Sequence, residues 1–294
     1  MSERLRVLIA GADGQVGQAT AAAVRGGVEC RAVGRGALDI TRPAEVETCI
    51  RGFAPDVVIN CAAYTAVDAA EQNANLAARV NTDGPRNLAA AVAARSGARL
   101  LHISTDFVFD GRADSPYATS AAPTPLSVYG RTKLAGEQAV LDTLGSRALV
   151  VRTAWVYAAQ GRNFLLTMLR LMRERGVVRV VSDQIGTPTA AASLADVLWR
   201  FAQRPELSGI FHWTDSGVAS RYDFAVAIAE DAAACGVLQP GISVQPMVTA
   251  EYPTAAVRPS YSVLDTRTTR DALGVQAMHW RARLRGVLQE LQVA

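Results

Sequence analysis

Tyr129 and Lys133, in the stretch Tyr-Gly-Arg-Thr-Lys, are the first pair whose types and spacing could do chemistry. On a helix, positions i and i+4 share a face, so the phenol and the ammonium can converge on one site. A nearby cation stabilises phenolate and draws the tyrosine pKa toward the working pH, as an acid–base catalyst requires. Alone, this spacing is common on helix surfaces. Upstream stands His102-Ile-Ser-Thr-Asp106, closing a β-rich run. A hydroxyl at such a strand end can donate to a substrate carbonyl and hold its oxygen within reach of the tyrosine. The third feature is Gly11-Ala-Asp-Gly14-Gln15-Val16-Gly17, directly after the first apolar run. Glycines there permit positive φ and remove the Cβ atoms that would block a pyrophosphate, which the following helix N-terminus attracts. A second run ends at Val33-Gly34-Arg35. An acidic residue there would take the ribose hydroxyls of NAD, whereas Arg35 suits the 2′-phosphate of NADP. Asp39 and Ile40, a little further on, could flank the adenine.

These residues need a scaffold that brings strand ends and helix starts to one edge. Short β-rich runs at Leu5–Ala10, Val28–Val33, Asp56–Asn60, Arg99–Thr105, Ala148–Tyr157 and Val177–Ser182 alternate with helical patterns. The helical patterns fall near Gln15–Arg25, Ala44–Gly52, Asn73–Ala94, Val128–Leu144 and Asn163–Arg175. Strands apolar along their length with helices between predict an α/β fold, a doubly wound parallel (Rossmann) sheet covered on both faces. Ligands then sit at the carboxyl ends of the strands. After about residue 213 the pattern changes. Helices are expected over Arg221–Ala234, Thr266–Leu273 and Trp280–Gln292, with a Pro- and Thr-rich Pro240–Pro259 between. That tail is read as a substrate cap over the ligand edge. The division expected is a dinucleotide-binding domain over 1–157 plus about 190–213, and a smaller substrate-binding region over about 158–189 plus 214–294.

Composition narrows the class. Half of the 294 residues are hydrophobic, 19% are charged and the net charge is only +3, an ordinary globular balance. The basic residues are scattered, so neither a nucleic-acid groove nor a membrane-surface helix is expected. No apolar run approaches the roughly 20 residues needed to span a bilayer, and the amino terminus lacks a signal-peptide pattern. Cys30, Cys49, Cys61 and Cys235 lie far apart, as do the three histidines. That spacing fits reduced thiols in a cytoplasmic enzyme better than a disulfide frame or a zinc site.

Glycine turn, strand-end hydroxyl and Tyr/Lys helix occur in the order seen in a known group. The chain resembles the extended short-chain dehydrogenase/reductases and, more narrowly, the dTDP-4-dehydrorhamnose reductase family. The matching stretches include GADGQVG (11–17), VINCAAYTAVDAAE (58–71), STDFVFDG (104–111), VYGRTKLAGE (128–137), RTAWVY (152–157), SDQIGTPT (182–189) and RPSYSVLD (258–265). The resemblance implies reduction of the 4-keto group of a nucleotide-linked deoxysugar, with NADPH as donor and NADH as an alternative. It implies Tyr129 as proton donor, Lys133 as the residue that lowers its pKa and binds the nicotinamide ribose, and Thr105 as the group orienting the carbonyl. Ala62, Ala63 and Tyr64 would line the cofactor. Thr65, Val67, Asp106, Phe107 and Trp155 would approach the substrate, with Asn163 and Arg258 as candidates for its diphosphate.

Departures from the family pattern bear on substrate fit. Phe107 stands where a tyrosine is usual, and Thr119, Ser120 and Ala121 stand where acidic residues are usual. These changes point to a related 4-keto-deoxysugar as the alternative substrate, and the resemblance itself raises a non-catalytic regulatory relative as a second alternative. A dehydratase would want a carboxylate pair beside the catalytic hydroxyl, and Asp106 is followed by Phe107. Some relatives join two subunits through magnesium held by carboxylates, at positions occupied here by Ala19 and Ala192. Alanine offers no oxygen ligand, so no metal is expected, and the chain is expected to be a monomer or a homodimer without a metal bridge.

Overall fold

The computed structural model describes residues 4–293. Its main sheet has six strands: β1 (Leu5–Ala10), β2 (Val28–Val33), β3 (Val57–Asn60), β4 (Arg99–Thr105), β5 (Ala148–Thr153) and β10 (Gly209–His212). Their spatial order is β10-β5-β4-β3-β1-β2, with every neighbouring pair parallel. Because side chains alternate along a strand, each face of the sheet buries its own set. One face packs Leu8, Val58, Leu100 and Ala148 against α2 (Pro43–Phe53), α5 (Gly84–Ala93) and α6 (Val128–Leu144). The other packs Val7, Ile9, Leu101 and Leu149 against α8 (Ala191–Ala202). This is the expected doubly wound α/β fold. Chain order reverses between β1 and β3, and α1 (Gln15–Ala22) starts beside that point, where such folds bind ligands.

Several expected elements differ. The run Ala148–Tyr157 is not one strand. Trp155 takes a left-handed turn with φ of 47°, and the chain leaves the sheet there. The short β6 (Val156–Tyr157) pairs instead with β9 (Thr189–Ala190). The run near Val177–Ser182 forms β7 (Val177–Val181), which lies outside the main sheet and pairs with β12 (Ser243–Met247). That partner lies inside the segment read as Pro- and Thr-rich loop. The main sheet's sixth strand is β10, which the sequence reading missed along with α8. The long helix expected over Asn73–Ala94 is broken into α4 (Ala74–Ala78), a π-helical turn at Arg79–Asp83, and α5, while α3 (Val67–Gln72) precedes it.

A second core sits beyond the sheet. Leu165, Met168, Leu169 and Met172 of α7 (Phe164–Arg175) meet Phe224 and Ile228 of α9 (Arg221–Ala234) and Trp280, Leu284 and Leu288 of α11 (Trp280–Val293). From this region the segment 256–265 returns across the sheet's carboxyl edge. It bridges Leu264 to Tyr117 and Tyr261 to Ile185, and Ser260 Oγ donates to Gly111 O at 2.9 Å.

Candidate active site

A cleft of about 210 Å³ opens at the carboxyl ends of β1, β2 and β3. Its walls include Gly11, Gly14, Arg35, Asp39, Ile40, Ala62, Ala63 and Tyr64, eight of the residues expected there. Gly11 has φ of 81°, and a Cβ on it would come within 2.5 Å of Ala62 N, so no other residue fits the turn. Gly14 differs: a Cβ there would meet protein no closer than 3.5 Å. The chain itself does not require a glycine at that helix start, whereas a phosphate lying against it would. Gln15 and Val16 begin α1, and the Gln15 amide donates to Val156 O at 3.1 Å, tying the turn to the β6 crossing. Arg35 is exposed, with Nε 3.9 Å from Asp39 Oδ2, and its backbone N–H donates to Asp13 Oδ2 at 2.9 Å. The guanidinium is therefore free to turn to an added anion. These residues fit a dinucleotide carrying a 2′-phosphate.

At the end of β4 the catalytic candidates meet. Gly130 lets α6 approach the β4 exit closely, since a Cβ there would fall 2.2 Å from Phe107 O. That contact sets Tyr129 beside Thr105 and places its ring edge-on to Phe107, with centroids 5.6 Å apart. Burial pushes the Tyr129 phenol up to about 12, the Thr105 hydroxyl pulling the other way and the Asp106 charge adding to the rise. The depression expected from Lys133 is not found. Lys133 is buried and its Nζ donates to Ile103 O at 2.6 Å. Burial draws that ammonium down to about 8, against the opposing charges of Glu137 and Cys61. Thr105 Oγ1 donates to Asp106 Oδ1 at 3.1 Å and accepts from Phe107 N at 3.2 Å. Asp106 is buried, its Oδ2 has no hydrogen-bond partner, and burial raises its pKa to about 6 against Ser262, Thr105 and Arg221. An acceptor left unmatched in a buried site costs stability unless a ligand hydroxyl satisfies it.

The remaining candidates are spread around this centre. Thr65 and Val67 lie where the β3 exit enters α3. Trp155 carries its left-handed backbone beside Gly186, where a Cβ would come within 2.6 Å of the indole. A tryptophan held at positive φ costs about 1–3 kcal/mol and marks a place where position matters more than stability. The two diphosphate candidates are engaged elsewhere. Asn163 caps α7, accepting from Leu166 N at 3.0 Å, while its amide donates to Ala158 O at 2.9 Å. Arg258 is held by Asp68 at 2.6 and 3.0 Å.

Sequence reasoning missed the residues that position these. Asn60 Oδ1 accepts from Ala62 N at 3.1 Å, and its amide meets His102 Nδ1 at 3.0 Å. Asn81, in the π-helical turn, accepts from Tyr64 N at 2.8 Å and donates to Tyr64 O and Thr132 Oγ1 at 3.1 and 3.2 Å. It thereby ties the cofactor wall to α6. Glu71 accepts from Val128 N at 2.8 Å and Ser127 Oγ from Gly130 N at 3.1 Å, so both cap the helix that carries Tyr129. Polar residues ending an apolar run, as Asn60 does, were the available signal. Arg221 was missed too. Its guanidinium lies 3.5 Å over the Trp155 ring.

A parallel doubly wound sheet, a glycine-turn cleft at its switch point and a Tyr/Lys helix beside a strand-end threonine define a dinucleotide-dependent oxidoreductase of the extended short-chain type. The comparisons narrow this. The sequence matches the family described as RmlD substrate binding domain over residues 5–293, and the chain belongs to that family. The dTDP-4-dehydrorhamnose reductase of Mycobacterium tuberculosis is 45% identical over 285 residues, 95% of this chain and 91% of the relative. A probable dTDP-4,6-dihydroxy-2-methyloxan-3-one 4-ketoreductase of Streptomyces antibioticus is 39% identical over 291 residues, 99% of this chain and 97% of the relative. The crystal structure of dTDP-4-dehydrorhamnose reductase from Bacillus anthracis in complex with NADP superposes with a TM-score of 0.92 at 35% identity, covering 98% of this chain and 99% of that one. No helix among the described residues is long and apolar enough to cross a membrane.

Proposed function

We propose that this protein reduces the 4-keto group of dTDP-4-dehydrorhamnose with NADPH, giving dTDP-L-rhamnose. The observation that carries this reading is the meeting of Tyr129 and Thr105 at the β4 exit, on the sheet edge that holds the dinucleotide cleft. Bound NADPH supplies a hydride to the carbonyl carbon. Gly11, Gly14, Gln15 and Val16 would hold its diphosphate, Arg35 its 2′-phosphate, Asp39 and Ile40 its adenine side, and Ala62, Ala63 and Tyr64 the far wall. Thr105 orients the carbonyl oxygen. Tyr129, protonated at neutral pH because it is buried, gives that oxygen its proton as charge develops there. Lys133, its Nζ held on Ile103 O, takes the nicotinamide ribose. Thr65, Val67, Asp106, Phe107 and Trp155 shape the sugar side. The division of labour follows the chain: 1–157 with about 190–213 holds the cofactor, and about 158–189 with 214–294 closes over the substrate. The protein works as a monomer or a homodimer with no bridging metal.

A second reading has its own support. Phe107 sets an apolar ring against Tyr129, where a hydroxyl-bearing ring would offer a further hydrogen bond to the sugar. A related dTDP-4-keto-deoxysugar with one fewer hydroxyl to satisfy fits that wall. Loss of reduced-nicotinamide absorbance, followed with NADPH and each keto-sugar nucleotide in turn, tests both. Turnover of dTDP-4-dehydrorhamnose at least ten times more efficient than the rival supports the first reading. The reverse ratio supports the second, and no oxidation with either substrate overturns both.

A further inference from the structure

Arg221 is a cation without an acceptor. It opens α9, whose start is already satisfied by a capping box between Ser220 and Asp223. Its backbone N–H goes to Gln184 O at 3.2 Å, and among the described residues its guanidinium donates to nothing. What fixes the group is stacking, 3.5 Å over the Trp155 ring and 5.3 Å over that of Phe164. Flat packing of this kind leaves the edge N–H donors of a guanidinium pointing away from the rings, aligned for an oxyanion. Burial draws the Arg221 pKa down to about 10, with the Asp106 charge opposing and the Arg258 charge reinforcing the fall. Two guanidinium groups thus lie near each other, and one of them, Arg258, is already matched by Asp68. The unmatched positive charge belongs to Arg221.

Its neighbours say which anion it would meet. Asp106 adjoins Thr105, the residue that faces the proton donor. A sugar with its reacting carbonyl at Thr105 and Tyr129 carries its anomeric oxygen on the opposite side of the ring, and the nearest charge is the phosphate attached there. We infer that Arg221, held in place by the strained Trp155, binds the sugar-side phosphate of the nucleotide sugar, an assignment that rests on the nucleotide-sugar reading above. Asn163 and Arg258, whose donors are engaged within the chain, leave that role open.

Calorimetric binding of dTDP and dTMP tests the inference, because only dTDP carries the phosphate in question. The wild-type protein should bind dTDP more tightly than dTMP. In Arg221→Met, which keeps apolar cover over Trp155, that preference should fall by about ten- to a hundred-fold, the range of a charge-assisted contact. The dTMP and NADPH affinities should stay within about two-fold of wild type, because a substitution away from their contacts leaves them nearly unchanged. Arg221→Lys, which retains a cation, should restore part of the preference and serves as the second variant should the methionine protein fail to fold. A preference that persists undiminished in either variant overturns the assignment. So does an equal loss for both nucleotides, which would reduce Arg221 to a prop for Trp155. A wild-type protein that binds dTDP without preferring it over dTMP overturns the assignment alone, whereas one that binds neither removes the nucleotide-sugar reading with it.

Discussion

Tyr129 and Lys133 sit on one helix turn but carry opposite perturbations from the same cause. Burial disfavours charge, so the phenol is pushed up to about 12 and the ammonium is drawn down to about 8. The phenol therefore holds its proton at neutral pH, the state that a carbonyl reduction consumes. Tyr129→Phe should cut turnover by at least about 10²-fold, the usual loss for an acid–base group, with cofactor affinity nearly unchanged in a fluorescence titration. Lys133 is charged below about 8 and neutral above it, so kcat/KM should fall as pH rises through that value. Stability should move the other way. The unfolded chain keeps the lysine proton up to about 10.5 while the folded chain has released it by about 8, so between those values unfolding takes up a proton and stability rises with pH. A stability curve that falls with activity over that window would show that the alkaline loss is unfolding rather than loss of the Lys133 charge. Arg35→Ala should weaken NADPH by about ten- to a hundred-fold, as for a lost charge-assisted contact, and leave NADH nearly unaffected. Equal losses in a binding titration would contradict the 2′-phosphate contact. The catalytic candidates were legible because residue type and a short helical spacing suffice to find them. Arg221 and Asn81 were not, because each acts on a residue that only the tertiary fold brings near, whereas Asn60, which bonds Ala62 two residues on, showed only as the polar end of an apolar run.

At the scale of the element, helix α6 is the part most carefully held. Glu71 and Ser127 cap its start, Gly130 and Gly136 let it approach the β4 exit and the π-helical turn, and Glu137 anchors its middle. Glu137 meets Arg152 of β5 through three hydrogen bonds of 2.7–3.2 Å, and both side chains are buried. Removing one partner of such a pair strands a charge in a dry interior. Glu137→Leu should lower stability by about 3–5 kcal/mol, and the Glu137→Leu/Arg152→Met double variant should recover much of that loss. Urea unfolding of the three proteins checks the difference, and a single variant within about 1 kcal/mol of wild type, the range of a surface pair, would contradict it. The helical pattern over Val128–Leu144 made the extent of α6 readable, though not its caps. The π-helical turn at Arg79–Asp83 was passed over, although Gly84-Pro85 directly after it is a break signal, since proline cannot donate to the i−4 carbonyl. The break is stabilised from outside, where Asn81 bonds Tyr64 and Thr132.

For the whole molecule, the doubly wound sheet was legible because its central strands are largely apolar and alternate with helices, although the edge strand β2 carries exposed Glu29 and Arg31. Membership in the sheet was not. β7 is as β-rich as β10 but pairs with β12, a choice made by long-range packing that no local pattern records. The return of the carboxyl-terminal tail over the catalytic edge was legible as a cap, but the same limit hid that segment 256–265 makes the crossing. Assembly offers a prediction at this scale. Ala19 on α1 and Ala192 on α8 present no oxygen ligand to a bridging magnesium ion. Activity and sedimentation mass should therefore be the same in chelator and in excess magnesium. A mass that doubles with the metal would contradict the absence of a metal-bridged dimer.

The central claim, reduction at C4 with Tyr129 as the acid, is tested most directly by following the transferred hydrogen. NADPH carrying deuterium at the reactive nicotinamide carbon is incubated with dTDP-4-dehydrorhamnose and the protein, and the product is read by nuclear magnetic resonance. The account predicts deuterium at C4 of the sugar, one label per cofactor oxidised, at a rate that collapses in Tyr129→Phe. Cofactor oxidation without label at C4, or labelling that proceeds at wild-type rate in Tyr129→Phe, would contradict it.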